Sequence, residues 1–454
     1  MSKNFISLFD IVGPVMIGPS SSHTAGAARM GYEAYKALGD VPEKVTIKLF
    51  NSFSDTGKGH KTDLAVLGGC LGIQPDDEKI IEAAKVAEKM GVKFKIKWGY
   101  HSNDLHPNTA IVKLRKGDQV VSLVGYSIGG GRIDIAKLSK NGKANDHIEN
   151  QVKKYQPSKG ASAQYYSFNN LRSRSKSVRQ YLKIVLDTER ETNKSLEVAP
   201  IEEFQRRWKI MIESIEKGVK IRRRSQDGMF GGDSNRMLRS RFNILSKVVE
   251  NGITYSIGVA ELNAKMGKIV ATPTAGSCGI VPGVLYSLQK KFHFSHGKMS
   301  EALAIAASIG AVVSRQVELA GAVAGCQAEI GVAGSMAAAA GVYLLGGNLV
   351  RIESAASLVL GNLLGLTCDP IMGRVEVPCI LRNGMVTSMV FAAIEMSLDG
   401  IVYQLPFDEV IGVMKKVGYD LDEDYRETST GGLATTKTAK RICKSCKSCS
   451  GCRR

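Results

Sequence analysis

At 454 residues the chain exceeds one ordinary hydrophobic core and points to two domains. An apolar content of 44% with 23% charged residues excludes a disordered chain, and 9 cysteines are too few for a disulfide-built secreted scaffold. The net charge of +18 is local: residues 151–224 hold 18 Lys/Arg against 8 Asp/Glu, and residues 431–454 hold seven Lys/Arg and no acid, so nucleic acid is not the expected partner of the body.

The opening MSKNFISLFDIVGPVMIG is interrupted by Asn4, Ser7, Asp10 and Pro14 and does not read as a signal peptide, so a reducing cytoplasm is expected. KVTIKLF (44–50), KFKIKW (93–98) and TAIVKLR (109–115) alternate apolar and polar residues, the pattern of half-buried strands. Between the first two, residues 76–91 show helical spacing with acids in the first turn and Gly91 as a stop. Residues 119–131 read as a strand running into a glycine loop. The polar, basic stretch 152–200 reads as a linker.

From 201 onward the pattern is helical. Residues 202–220 are amphipathic, whereas segments near 299–324, 328–346, 353–366 and 383–399 are apolar nearly all round, as expected of helices buried from several sides. The most apolar stretch, Ile330 to Gly347, is mainly Ala and Gly and reads as a core helix, with no membrane span expected. The fold class expected is therefore an α+β N-terminal domain (1–151), a basic linker (152–200), a predominantly α-helical C-terminal domain (201–440) and a Cys-rich basic tail (441–454).

Four groups of residues carry chemistry. GPSSSHTAG (18–26) places hydroxyls and His23 where a loop enters a helix, which suits either an ordinary cap or a grip on a carboxylate or phosphate. TGKGHKTD (56–63) sets His60 among lysines, either as a surface histidine or as a general base whose pKa those cations lower. His106 in HPNTA precedes a strand. Cys326, Cys368 and Cys379 lie at Gly/Pro-rich boundaries without CxxC spacing, so they are either buried structural thiols or separately presented ligands.

The motifs taken together carry a resemblance. GPSSSHTAGAARMG, TGKGHKTDLAVLGG, HPNTA and GYSIGGGRI resemble the β-part of the bacterial iron–sulfur L-serine dehydratases. GGDSNRM, ATPTAGSCGIVPGVLY, GCQAEIGVAGSMAAAAG, LGLTCDPIMGRVEVPCILRN and DYRETSTGGLA resemble the α-part. The likeness runs from about Ser7 to Ala434, weakest over 152–200, and implies a single-chain fusion with the β-part first. No segment after Gly131 reads as the extra regulatory module that some two-chain members carry.

The resemblance implies a lyase of amino-acid degradation that converts L-serine to pyruvate and ammonia. It assigns Cys326, Cys368 and Cys379 to a 4Fe-4S cluster with one open iron and makes His60 the base. His23 and His106, with Ser20, Ser21, Ser22, Thr24 and Asn108, would orient the substrate. Thr272, Thr274, Gly276 and Ser277 would close the same pocket. A homodimer is implied by fold-level analogy alone.

The tail departs from the pattern. Cys443, Cys446, Cys449 and Cys452 among basic residues fit a second metal site, a redox-labile tail, a thiolate reaching the open iron, or a dispensable end. Three rivals stand beside the main reading. They are a pyridoxal-phosphate dehydratase, for which no fitting lysine and phosphate loop is found, a related lyase acting on threonine or cysteine, and a basic binding protein on an old lyase fold.

Overall fold

A computed structural model describes residues 6–100, 105–141 and 167–445, apart from positions 195, 226, 243 and 375. The chain begins with α1 (Leu8–Ile11), β1 (Val15–Ile17) and a π-helical turn over Ser21–Gly26 that runs into α2 (Ala27–Leu38). Next come β2 (Lys44–Phe50), α3 (Ser52–Asp55), α4 (Thr62–Cys70) and α5 (Ala83–Lys89). β3 (Lys93–Gly99), β4 (Thr109–Lys116), β5 (Gln119–Ser127) and β6 (Ile133–Lys140) complete a five-stranded sheet.

The strand order is β3-β2-β4-β5-β6, with β2 and β3 parallel and every other pair antiparallel. The three predicted strands fall on β2, β3 and β4. Alternation explains the layer: Val45, Ile47 and Leu49 of β2 and Ala110, Val112 and Leu114 of β4 are buried in one core with α2 and α4. These two helices approach backbone to backbone. A Cβ on Gly31 would lie 2.2 Å from Val66 O, and one on Gly69 2.0 Å from Ala28 O. Residues 76–91 differ from one continuous helix: Asp77 caps a 3-10 turn over Glu78–Glu82 before α5 begins.

The second region contains α6 (Phe168–Ser173), α7 (Val178–Thr192), α8 (Pro200–Gly218), α9 (Asp233–Met237), α10 (Lys247–Ala264) and β7 (Lys268–Val270). α11 (Ile280–Phe292), α12 (His296–Ser314), α13 (Gly321–Ala324), α14 (Ile330–Leu344) and α15 (Leu349–Asn362) follow. α16 (Cys379–Leu398), α17 (Phe407–Asp420) and α18 (Lys437–Ser445) close the series. α14 is buried along its whole length, as its all-round apolar sequence requires. α16 is long and apolar enough to cross a membrane by length and composition. It packs on α14 instead: Cβ atoms on Gly334 and Gly341 would touch Val386 and Ile394.

The linker reading of 152–200 needs correction over its second half. Phe168, Leu171, Tyr181, Leu182 and Val185 recur at helical spacing and enter the main helical core, while Arg174, Lys176 and Arg179 stay exposed. The Tyr181 hydroxyl meets Ser308 Oγ at 2.9 Å, and Glu189 accepts from Leu8 N at 2.9 Å. The surplus charge here is thus the outer face of packed helices; residues 142–166 lie outside the described residues.

The two regions are interlocked. Leu8, Phe9, Ile11, Val12 and Met16 belong to the helical core, and β1 pairs antiparallel with β7, Val15 opposite Val270. Of the cysteine ladder, Cys443 sits on α18, while Cys446, Cys449 and Cys452 lie outside the described residues.

Candidate functional site

The π-turn and the turn after α3 bring His23 and His60 together, with ring centroids 4.6 Å apart and both side chains buried. Ser20 caps the π-turn, its Oγ accepting from His23 N at 3.1 Å. Thr24 Oγ1 donates to His60 O at 2.8 Å, tying the two turns. Ser21 and Ser22 are buried in the same turn, and Ser22 O accepts from Ser127 Oγ at 2.9 Å.

Thr56 sits between the rings. Its Oγ1 is 2.9 Å from His23 Nε2 and 3.2 Å from His60 Nδ1, and it donates to Ser52 O at 3.0 Å. With its one hydrogen on Ser52 O, the hydroxyl accepts from both rings, which puts N–H on His60 Nδ1 and a bare lone pair on His60 Nε2. That Nε2 is buried with no hydrogen-bond partner.

Both rings are held neutral. Burial is the main cause of the depressed pKa of each: His23 falls to about 3, and His60 falls well below its usual value, His23 adding to the effect. The sequence pointed to neighbouring lysines as the cause for His60. That is corrected here: the ring is enclosed, and removal from water outweighs the cations.

His106 is buried nearby. Its Nδ1 accepts from Asn108 N at 3.0 Å, and its Nε2 faces Glu318 at 3.3 Å. Asn108 Nδ2 reaches Ser127 O at 3.4 Å, while its Oδ1 is buried without a partner.

The three cysteines, far apart in sequence, converge from a 3-10 turn before α14, an isolated bridge to Arg426 and the start of α16. All three are buried, and Cys326 is hydrogen-bonded to both Cys368 and Cys379. These two thiols, and then Arg382, hold Cys326 well below the ordinary thiol range, whereas Cys368 and Cys379 are pushed well above it. Cys326 is therefore the thiol of the trio that loses its proton most readily. Arg382 also reaches Asp369 at 3.0 Å and Thr367 O at 2.9 Å. Gly321 is required here, since a Cβ would lie 2.7 Å from Cys368 Sγ.

The loop with Thr272, Thr274, Gly276 and Ser277 abuts the thiols through Glu329. Ser277 Oγ donates to Thr272 O at 2.9 Å and meets Thr274 Oγ1 at 3.1 Å, and Thr272 Oγ1 is buried without a partner. Thr274 is hydrogen-bonded to Glu329, whose pKa burial pushes up to about 8, the Cys326 charge adding to it. Glu329, Cys326 and Cys368 present ligand atoms within 4.8 Å of one another, and so do His23, His60 and Glu427. Asn263 binds the two halves, donating to Pro19 O at 3.1 Å and Ala275 O at 3.0 Å.

Thr56, Glu329, Glu427, Arg382 and Asn263 were not singled out from sequence. Four of them lie inside recognised motifs, and an acid embedded in a run of small apolar residues was the available signal for Glu329. A cleft of about 560 Å³, lined by Ser54, Lys58, Trp98, Gly373, Thr430 and Lys440, adjoins the turn that carries Thr56. Its lysines favour an anionic visitor.

Residues 7–137 match the family described as serine dehydratase beta chain, and residues 176–434 match serine dehydratase alpha chain. A probable L-serine dehydratase alpha chain of Bacillus subtilis (strain 168) is 40% identical over 238 residues, which is 52% of this chain and 79% of that one. The L-serine dehydratase TdcG of Escherichia coli (strain K12) is 32% identical over 466 residues, covering 94% of this chain and 98% of its own. An L-serine dehydratase of Haemophilus influenzae is 31% identical over 472 residues, covering 94% and 98%. The chain belongs to the serine dehydratase family, with the beta-type unit preceding the alpha-type unit in one polypeptide.

Proposed function

We propose that the protein is an L-serine ammonia-lyase that expels water from L-serine, the resulting 2-aminoacrylate passing through its imine to pyruvate and ammonia. The observation that carries this reading is the unpartnered, buried Nε2 of neutral His60, grouped with Glu427, which lies in turn beside the thiol trio centred on Cys326.

Cys326, Cys368 and Cys379 are the residues that would hold a 4Fe-4S cluster. The donor set suits it: three converging sulfurs, one of them with a depressed pKa, with Arg382 beside them. Such a cluster, when bound, supplies Lewis acidity toward the β-hydroxyl of serine, a poor leaving group.

The chain's own groups do the rest. Backbone N–H groups and hydroxyls of the turn at Ser20, Ser21, Ser22 and Thr24 receive the substrate carboxylate, and Asn108 Oδ1 and His106 orient its polar groups. His60 Nε2 removes the α-proton. Burial keeps that nitrogen unprotonated at neutral pH, and an entering carboxylate raises its basicity where it is needed. As Nε2 gains a proton, the Nδ1 hydrogen stays on its bond to Thr56 Oγ1, which holds the imidazolium in place. The Thr272–Ser277 loop excludes water.

The test is pyruvate formation from L-serine by protein purified without oxygen, repeated after brief exposure to air. Activity lost in air together with a brown absorbance supports the reading. Activity that survives air and metal removal would require another cofactor. Inactivity toward serine, threonine and cysteine alike would leave a binding protein. One methyl group separates serine from threonine, worth only about 1–3 kcal/mol of discrimination, so all three substrates belong in the assay.

A further inference from the structure

A substrate with an α-ammonium group needs an acceptor for it, and the neutral histidines and hydroxyls described above do not supply a charged one. Among the described residues three acids come near this pocket, Glu318, Glu329 and Glu427, and they differ in what they face: Glu318 faces His106 Nε2 at 3.3 Å. Glu329 is engaged by Thr274 and lies on the thiol side. Glu427 is buried with its Oε1 3.6 Å from His23 Nδ1, in one group with the ring atoms of His23 and His60. Since the ammonium is borne by the very carbon whose proton the base removes, its acceptor must lie beside the base.

Backbone geometry points the same way. Glu427 has φ +61°, the left-handed region that a long side chain seldom adopts and that tends to persist where the surroundings enforce it. Here Cys368 enforces it: Cys368 N donates to Tyr425 O and Glu427 N donates to Cys368 O, both at 2.8 Å. The 425–427 segment is thereby fastened to the backbone of a proposed cluster ligand, and the carboxyl is turned inward. Arg382, the cation beside the thiols, is already committed to Asp369 and Thr367 O.

We propose that Glu427 receives the α-ammonium group of the substrate and thereby selects α-amino acids over the corresponding α-hydroxy acids. The inference rests on the lyase reading above. Glu427 holds the nitrogen, the Ser20–Thr24 turn holds the carboxylate, and these two contacts leave the α-hydrogen for His60.

The experiment compares the anaerobically purified holoenzyme with E427Q and E427D. It records KM and kcat for L-serine, the inhibition constant of L-glycerate (a hydroxyl in place of the ammonium), and the cluster absorbance. E427Q should keep the absorbance and raise KM for serine about 10- to 100-fold, the loss expected for a charge-assisted hydrogen bond. Glycerate inhibition should stay within about threefold, so the preference for serine over glycerate collapses. E427D should retain most of that preference. Equal weakening of serine and glycerate by E427Q would overturn the proposal, and so would a loss of absorbance, which would make Glu427 a support for Cys368. Failure of the underlying reading looks different: the unaltered protein would then make no pyruvate from serine.

Discussion

His23 and His60 meet on a single hydroxyl, that of Thr56, which lies 2.9 Å from one ring and 3.2 Å from the other. The hydroxyl sets the tautomer of both rings, because its own hydrogen is used on Ser52 O. The two rings are therefore one unit, built from two turns in which His23 and Thr56 are 33 residues apart.

His60→Ala should lower kcat for pyruvate formation by about 10²- to 10⁴-fold, the usual contribution of a general base. Its cluster absorbance should stay unchanged, since His60 is not among the converging sulfurs. Bleaching of H60A would show instead that the ring supports the metal site.

Each of Cys326→Ser, Cys368→Ser and Cys379→Ser should abolish the iron–sulfur absorbance and the activity together. Chelation of iron from the unaltered protein should do the same, while far-UV circular dichroism persists, because the all-apolar packing of α12, α14 and α16 needs no metal. Full absorbance in all three variants would remove the cysteines from the site.

Asn263→Ala should weaken the pocket without touching either set of reactive groups. It deletes two buried hydrogen bonds, to Pro19 O and Ala275 O, and strands both carbonyls. A stability loss of about 1–3 kcal/mol is expected, with a raised KM for serine, read from denaturant midpoints and steady-state kinetics. An unchanged KM would mean that the two loops hold their places independently.

Acid should destabilise the protein through His23. Burial lowers its folded pKa to about 3, below the ~6.5 of an unfolded chain. Between those values the unfolded state binds the extra proton, so stability falls as pH drops from about 6.5 toward 3. The unaltered protein should lose up to about 1.4 kcal/mol per pH unit relative to His23→Gln across that window. Denaturant midpoints at about pH 7.5 and about pH 5 measure it. A pH-independent gap between the two proteins would place a charged ring in the folded state.

Periodicity made β2, β3 and β4 legible through their alternating sequences, although only β2 has one wet and one dry face: β3 is at most half-buried, and Thr109–Val112 of β4 are buried throughout. β6, with Ile133, Ile135 and Lys137 only half-buried at the sheet edge, carries too weak a contrast to stand out. The helices α6 and α7 were obscured by composition: their many Ser, Arg and Asn residues hide the few apolar positions that enter the core. In the site, His23, His60 and the cysteines were visible as unusual residues in glycine-rich settings. The sharing of Thr56 and the inward turn of Glu427 were not, since both depend on which loops meet in space.

The ribbon of Val15–Ile17 with Lys268–Val270, together with Leu8, Phe9 and Met16 in the helical core, bears on what chain continuity contributes. A proteolytic nick between residues 142 and 166 would leave a clasped pair, since the first fragment would still be threaded through the second. The imidazoles would remain opposite the thiols. For this fold, then, a continuous polypeptide secures equal stoichiometry of the two parts, while the clasp itself holds the reactive groups in register.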